Sequence, residues 1–235
     1  MKQQEVETLA ASFCESDPGQ ILRWAVAEFS PHLVMSTAFG VGGIVLLHFL
    51  EQMGCKIPVF YIDTGLLFPE VHQLRSVLED RFGITFERIT PAIGLREQAE
   101  QFGENLWERD PDTCCLLRKV VPLREYLRNK RAWITAIRAG QTEIRSRAKV
   151  VEWDERNQII KINPLLKWTE EQVWSYIREH KLPYNPLHDR GYPSLGCTPC
   201  TLPIEAGEGL RAGRWKGHSK VECGIHLLSD VDFYR

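Results

Sequence analysis

Cys114 and Cys115 are adjacent, Cys197 and Cys200 form a C-x-x-C, and Cys223 lies near the end in Glu222-Cys223-Gly224-Ile225-His226. Two close thiol pairs supply the four thiolates that a [4Fe–4S] cluster takes. Structural zinc also accepts four cysteines, usually as two knuckles with a spacer inside each. One pair here has no spacer, and adjacent side chains on a helix point about 100° apart. The set therefore suits separate irons of a cluster better than one tetrahedral ion. Buried thiols without metal are the plainest alternative, and they account poorly for a doublet plus a C-x-x-C. Cys223 has different company: Lys220 lies three residues before it and His226 three after. A nearby cation lowers a thiol's pKa and enriches the thiolate, the attacking species. Cys223 reads as a nucleophile, against the alternative of a surface cysteine in a loose tail. Cys14 and Cys55 have no such companions and read as bystanders.

Thiols this far apart in sequence need a scaffold that gathers them. Two helices open the chain, one over Thr8 to Phe13 and one with an apolar stripe at Ile21, Leu22, Trp24, Ala25 and Phe29, ended by Pro31. Leu33 to Ala38 reads as a buried strand. A glycine-bearing turn, Phe39-Gly40-Val41-Gly42-Gly43, leads into a helix from Ile44 to about Met53. Pro58 to Ile62 is a second strand, with Asp63-Thr64-Gly65 at its carboxyl end. A helix follows from Pro69 to about Phe82, and a third strand over Ile84 to Ile89. Asp112 or Thr113 suits the cap of a helix carrying both adjacent cysteines, Arg118 and Lys119. Ala132 to Ala136 is a fourth strand, and Lys149 to Trp153 with Gln158 to Ile162 suggests a hairpin. Thr169-x-x-Gln172 fits a capping box opening a helix through Glu179, and from Leu182 onward regular structure thins out.

Strand alternating with helix predicts an α/β fold, a doubly wound and mostly parallel sheet that binds ligands outside the carboxyl ends of its strands. The glycine turn and Asp63 fall there. The turn's backbone N–H groups would suit an anion or nucleotide, although a strand-to-helix turn needs glycine anyway. Asp63 is likewise either a turn former or a ligand contact. The predicted organisation is one nucleotide-binding domain over residues 1–205, with a helical extension over 1–30, and a catalytic tail over 206–235.

At 235 residues the chain is long enough for one such domain with extensions. A net charge of −2 argues against a nucleic-acid binder using its whole surface. Basic residues gather in two stretches, Arg138, Arg145, Arg147 and Lys149, then Arg211, Arg214, Lys216 and Lys220. Solvated surface is the bland reading; a small anionic ligand is the other. No run approaches the ~18–20 apolar residues of a membrane span. The polar, acidic start from Met1 to Glu7 does not resemble a secretory leader. A reducing cytoplasm is therefore expected, where metal binding or catalysis suits thiols better than disulfides.

The chain resembles the adenylyl-sulfate and phosphoadenylyl-sulfate reductases of sulfate assimilation, from about Ser36 to His226. The resemblance rests on Tyr61-Ile62-Asp63-Thr64-Gly65, Cys114-Cys115-x-x-Arg118-Lys119-x-x-Pro122-Leu123, Trp133 to Arg138, Cys197-Thr198-Pro199-Cys200 and Glu222 to His226. The four paired cysteines mark its cluster-containing branch, which typically reduces adenosine 5′-phosphosulfate (APS). The branch without them typically takes the 3′-phosphorylated substrate (PAPS). The resemblance implies a fold like the ATP pyrophosphatases, of the adenine nucleotide alpha hydrolase type. It also implies a [4Fe–4S] cluster on Cys114, Cys115, Cys197 and Cys200. Cys223 would attack the sulfur of the phosphosulfate and expel AMP, and thioredoxin or glutaredoxin would release sulfite from the S-sulfocysteine. Lys119, Arg211, Arg214 and His226 would hold the phosphosulfate, with Ser36, Gly40 and Arg138 on the nucleotide and Asp63 beside it.

Three other readings stay open. A PAPS-specific or dual-substrate reductase would share the same motifs. An ATP pyrophosphatase acting in tRNA thiolation would want an acidic residue in the first loop, which Gly40 to Ile44 lacks. A non-catalytic iron–sulfur or zinc sensor would have no use for Cys223. A homo-oligomer is compatible with any of them.

Overall fold

Apolar runs that can be buried on both sides favour a parallel sheet with helices on each face, and the four inner strands of this chain are such runs. The computed structural model describes residues 3–13 and 16–226; Cys14 and the last part of the tail lie outside the described residues. The strands are β1 (Leu33–Ser36), β2 (Val59–Ile62), β3 (Glu87–Ile89), β4 (Ala132–Ile134), β5 (Val151–Asp154) and β6 (Ile159–Ile162). They form one six-stranded sheet in the order β3-β2-β1-β4-β6-β5 among the described residues. All neighbours run parallel except β5, which is antiparallel to β6 at one edge. Successive residues point to opposite faces. Leu33 and Met35 of β1 join one apolar core with Ala132 and Ile134 of β4, while Val34 and Trp133 join a second on the other face.

The helices that cover the first face are α1 (Gln3–Ser12), α2 (Pro18–Phe29), α3 (Val41–Gln52), α4 (Pro69–Phe82) and, further on, Glu170–Glu179. Local signals explain their ends. Asp17 and Gln20 close a capping box on α2, and Gly83, left-handed at φ 59°, stops α4. The expected box of Thr169 and Gln172 opens the Glu170–Glu179 helix.

Strand order reverses between β1 and β4, and the crevice outside their carboxyl ends is where such sheets receive ligands. Both strands leave the sheet earlier than the sequence suggested, β1 at Ser36 and β4 at Ile134. The residues released, Thr37–Gly40 and Thr135–Arg138, wall this crevice. Three short helices were not foreseen: α5 (Leu95–Phe102), α6 (Leu106–Arg109) and Glu143–Ser146.

The helix bearing the adjacent cysteines differs from expectation in two ways. Its N-cap is Asp110, whose side chain accepts from Thr113 N, rather than Asp112 or Thr113. It is also not a plain α-helix. α7 (Pro111–Cys115) passes into a π turn (Leu116–Val120) and then α8 (Val121–Leu127). Pro122 brings no N–H to the ladder, so the turn before it lacks a normal partner there. The Val121 N–H instead reaches back to Leu116 O, the wide register characteristic of π-bulges and frequent at functional sites.

Candidate active site

A cavity of about 280 Å³ opens at the β1/β4 crevice. One wall is the turn from Ser36 to Gly43. Phe39, almost fully buried, holds a left-handed backbone at φ 57°, a conformation worth roughly 1–3 kcal/mol of strain in a bulky residue. Its N–H bonds Thr37 Oγ1. The turn is tight enough that a Cβ on Gly43 would lie 2.7 Å from that same oxygen. Gly40 caps α3 with no side-chain hydrogen bond, which leaves first-turn N–H groups for an anion at the positive end of a twelve-residue helix. Ser36 Oγ accepts from Trp133 Nε1 at 2.8 Å.

The four paired cysteines converge on one buried spot beside this cavity. Cys115, Cys197 and Cys200 pack together with Trp215 and against Cys223. Burial pushes the Cys114 thiol up to about 12, with the charges of Cys115, Cys197 and Cys200 adding to it. Burial and then Cys197 push Cys200 up to about 11. Backbone contacts fix the C-x-x-C: Thr198 N bonds Leu66 O at 2.8 Å, and Trp215 N bonds Cys200 O at 3.1 Å. Thr64 Oγ1 lies 3.3 Å from Cys197 Sγ. Among the described residues no three His, Cys, Asp or Glu side chains converge as one metal ion requires. Four soft thiols gathered round one buried spot, of which Cys114, Cys115 and Cys200 are made hard to ionise chiefly by burial, fit a polynuclear cationic core that shares them out. The indole Nε1 of Trp215, buried there, has no partner, so a donor is in hand for such a core.

Lys119 links the two halves. It sits in the π turn, 9% exposed, and lines the cavity. Burial works against its ammonium, but Cys197, Cys115 and Cys223 outweigh burial and hold its pKa above the usual lysine value. Arg118 turns the other way. Its Nε donates to Thr64 O at 2.5 Å and its Nη1 to Gln98 Oε1 at 3.0 Å, which ties the π turn to the loop after β2.

The opposite wall comes from the C-terminal segment. Arg214 Nη1 donates to Leu195 O at 3.0 Å and Ser194 Oγ at 3.2 Å, and Arg211 Nη1 donates to Ser194 Oγ at 3.3 Å. A Cβ on Gly196 would strike the Arg214 guanidinium. Arg214, Lys220 and Arg211 lie 4.4, 5.5 and 5.8 Å from the Trp215 ring, so one indole separates three cations from the thiols. Cys223 reaches the cavity. Burial opposes its thiolate, but Lys119, the Ile225 N–H and Arg145 outweigh burial and Glu222, and its pKa falls below the ordinary thiol value. His226 stacks on Trp133 at 5.6 Å and 13°. Burial, then Arg145, Lys161 and Arg211, hold its pKa well below normal, so its imidazole is neutral at neutral pH.

Nε of Arg211, Nε of Arg214 and Nδ1 of His226 are buried without partners, and all three residues line the cavity. Buried polar groups are nearly always paired, and a bound oxyanion would supply the missing acceptors. The cavity thus brings together Ser36, Gly40, Lys119, Arg138, Arg211, Arg214, Cys223 and His226 from the sequence reading. Asp63 is not brought there. Its carboxylate accepts from Gly65 N at 2.9 Å and Arg88 Nε at 2.8 Å, so it shapes the turn, and Thr64 lines the cavity instead. Arg138 is present but already paired with Glu170. Cys55 lies apart, packed against the main core. Arg145, Glu170 and Trp215 were missed; Arg145 was visible only as one of several basic residues.

The sequence pattern of the phosphoadenosine phosphosulfate reductase domain matches residues 32–203. An adenosine 5′-phosphosulfate reductase of Salinibacter ruber is 48% identical over 219 residues, 93% of this chain and 87% of that protein. One of Bacillus cereus is 43% identical over 220 residues, 92% of this chain and 94% of that protein. The crystal structure of phosphoadenylyl-sulfate (PAPS) reductase from Candida auris, a phosphate complex, superposes with a TM-score of 0.75. It is 33% identical and covers 86% of this chain and 98% of that one. The FMN adenylyltransferase of Candida glabrata, 19% identical at a TM-score of 0.58, shares the fold.

Proposed function

The chain belongs to the phosphoadenosine phosphosulfate reductase domain family, and from that premise we propose that it reduces adenosine 5′-phosphosulfate to sulfite and AMP. The observation that carries this reading is the meeting of Cys223, Lys119 and two arginines with unpaired nitrogens in one cavity at the β1/β4 crevice.

The nucleotide lies over the Ser36–Gly43 turn and the start of α3, with Arg138 on its adenosine side. Its phosphosulfate lies against Lys119, Arg211 and Arg214. These cations offset the repulsion between a thiolate and an anionic sulfonate, and they stabilise charge building on the departing phosphate. Guanidinium forks match such oxyanions, and His226, being neutral, offers a hydrogen bond rather than a charge. The Cys223 thiolate bonds to the sulfonate sulfur, the S–O bond to the phosphate breaks, and AMP leaves with the electron pair. A dithiol protein of the thioredoxin or glutaredoxin class then attacks Cys223 Sγ. Sulfite departs with the S–S pair, and the second thiol resolves the mixed disulfide, restoring Cys223 and oxidising the partner. Splitting the reduction this way makes two modest steps of one hard one.

Cys114, Cys115, Cys197 and Cys200 would hold a [4Fe–4S] cluster, which when bound supplies a fixed charge that tunes the site beside Lys119. Residues 1–205 serve as the nucleotide-binding domain and 206–235 as the catalytic tail of a cytoplasmic enzyme. The relatives named for adenosine 5′-phosphosulfate favour that substrate.

A side-by-side assay of sulfite release from APS and PAPS tests the reading. Faster release from APS is expected, a preference for PAPS overturns the substrate, and no release from either overturns the reaction. Anaerobic preparations should carry iron and acid-labile sulfide; stoichiometric zinc instead would refute the cluster.

A further inference from the structure

Glu222, one residue before the cysteine that meets the cavity, is among the most tightly held acids in the protein. It is 4% exposed. Its Oε1 accepts from Arg145 Nε at 2.7 Å and Thr142 Oγ1 at 3.0 Å, and its Oε2 from Arg145 Nη2 at 2.9 Å. Arg211 Nη2 adds a longer contact at 3.5 Å. The remaining Arg145 nitrogen, Nη1, donates to Gln141 Oε1 at 2.5 Å, so both ends of that fork are committed. Arg145 and Arg211 line the cavity that Cys223 enters. The neighbouring backbone is fastened by the same kind of bond: Arg211 Nη2 to Val221 O at 3.0 Å and Arg156 Nη1 to Gly224 O at 2.5 Å.

We propose that Glu222 is the positioning latch of the tail: its two-pronged pairing with Arg145 seats Cys223 in the cavity for sulfonation. This rests on the reading that Cys223 accepts the sulfonate. Three considerations support it. A fork-to-fork pair fixes direction as well as distance, and the next residue along is the nucleophile. A side chain that small, on a segment with little regular structure, needs an anchor within a residue or two to stay in reach. The bond is also reversible without unfolding, because it joins two charged groups that water can solvate once the tail lifts. A nucleophile that must meet first a nucleotide and then a protein dithiol requires such a joint. Arg211 lies within reach of both Glu222 and the cavity, so an incoming oxyanion and the latch share one cation.

The test uses the full-length chain, prepared anaerobically, and the variants Glu222→Gln and Glu222→Asp. Sulfonation of Cys223 by APS is followed by mass in single-turnover mixtures without reductant, and AMP affinity is measured separately. Glu222→Gln keeps the shape and loses the charge. Its sulfonation rate is expected to fall at least tenfold while AMP binds as tightly as to the parent chain, or more tightly because Arg145 and Arg211 are released. Removing a carboxylate beside a thiol by itself favours the thiolate, so a purely electrostatic role predicts a faster reaction. An unchanged or faster rate therefore overturns the latch. So does an AMP affinity that falls in step with the rate, since Glu222 would then be shaping the cavity. Should Glu222→Gln fail to fold, Glu222→Asp keeps the buried charge but is one methylene short of the fork. It should slow sulfonation to a lesser degree, and a parental rate in it overturns the proposal. A parent chain that never gains a sulfonate refutes the functional reading instead, which separates the two failures.

Discussion

The two walls of the cavity are built by different physics. The sheet-side wall hangs on β1 and β4, whose backbone groups are paired and whose side chains, such as Val34, Met35, Trp133 and Ile134, are fully buried. The tail-side wall is held by charged side chains: Arg145 on Glu222, Arg156 on the Gly224 carbonyl, Arg211 on the Val221 carbonyl and Lys220 on Asp112. Its apolar anchors among the described residues are Trp215 beside the paired cysteines, Ile225 against the second core and His226 stacked on Trp133, and Leu210 and Val221 are about half exposed. A wall made of burial is formed once, at folding, and stays. A wall made of charged contacts on an irregular segment can be lifted without unfolding the sheet, since water solvates both partners once they part, and the buried pair of Arg145 with Glu222 sets most of the cost of lifting it. The half of the site built on the sheet is of the first kind, and the half that carries Cys223 is of the second.

Substitutions should respect that division. The largest effect is expected from Cys223→Ser, which should abolish sulfite release, as measured by a coupled assay, while the melting temperature stays close to the parent's. Trp133→Ala should cost stability as well as activity, since Trp133 anchors the sheet and also holds Ser36 and His226 at the cavity. It deletes a fully buried ring and should cost about 3–5 kcal/mol in denaturant melts. Ile225→Ala, on the tail side, should cost far less stability, and equal losses from the two would break the contrast. Acid gives a gentler probe. Burial raises the Glu222 pKa, but Arg145 and Arg211 together with Thr142 outweigh it and depress it below the usual carboxylate value. A depressed pKa contributes stability above the unfolded value, about 4.3, and loses it as pH falls through the folded one. Glu222 therefore loosens tail docking only below about 4.3, but His226 acts sooner. Its buried imidazole resists protonation, so docking should begin to weaken as pH falls below about 6.5, where a lifted His226 takes up a proton. Hydrogen exchange of residues 221–226, corrected for intrinsic rates, would report both stages, and no further loosening below about 4.3 would contradict the ion-pair account. The smallest effect belongs to Asp63→Asn. That carboxylate serves Gly65 N and a mostly exposed Arg88, so nucleotide affinity should change by no more than about twofold, within the ~0.5 kcal/mol of a substitution away from the site.

Much of this was legible before any coordinates. The α4 limits, Pro69 and Phe82, were expected with the proline in the first turn, and the structure stops the helix at Gly83. The Thr169 capping box was read correctly because both partners lie within one turn. The hairpin of β5 and β6 showed in two short runs around the polar Asp154-Glu155-Arg156-Asn157. Failures have a shared cause. Asp63 looked equally suited to turn or ligand, and only the approach of Arg88 from β3 decided for the turn. The π turn was hidden because Pro122 inside a helical run signals a break or kink without saying that a wider register would absorb it. Arg145 could not be told from Arg147, four residues from Glu143 on open surface, until Glu222 was found against it.

Residue types and short spacings by themselves determined which groups are able to ligate, attack or clamp: paired thiols, a cysteine with cations nearby, arginines for an oxyanion. They also determined the alternation that makes a parallel sheet, since periodicity is a local property. Tertiary structure alone decided which of many similar charges count. A cation acts on what lies within a few ångströms of it, and those neighbours are brought by other parts of the chain.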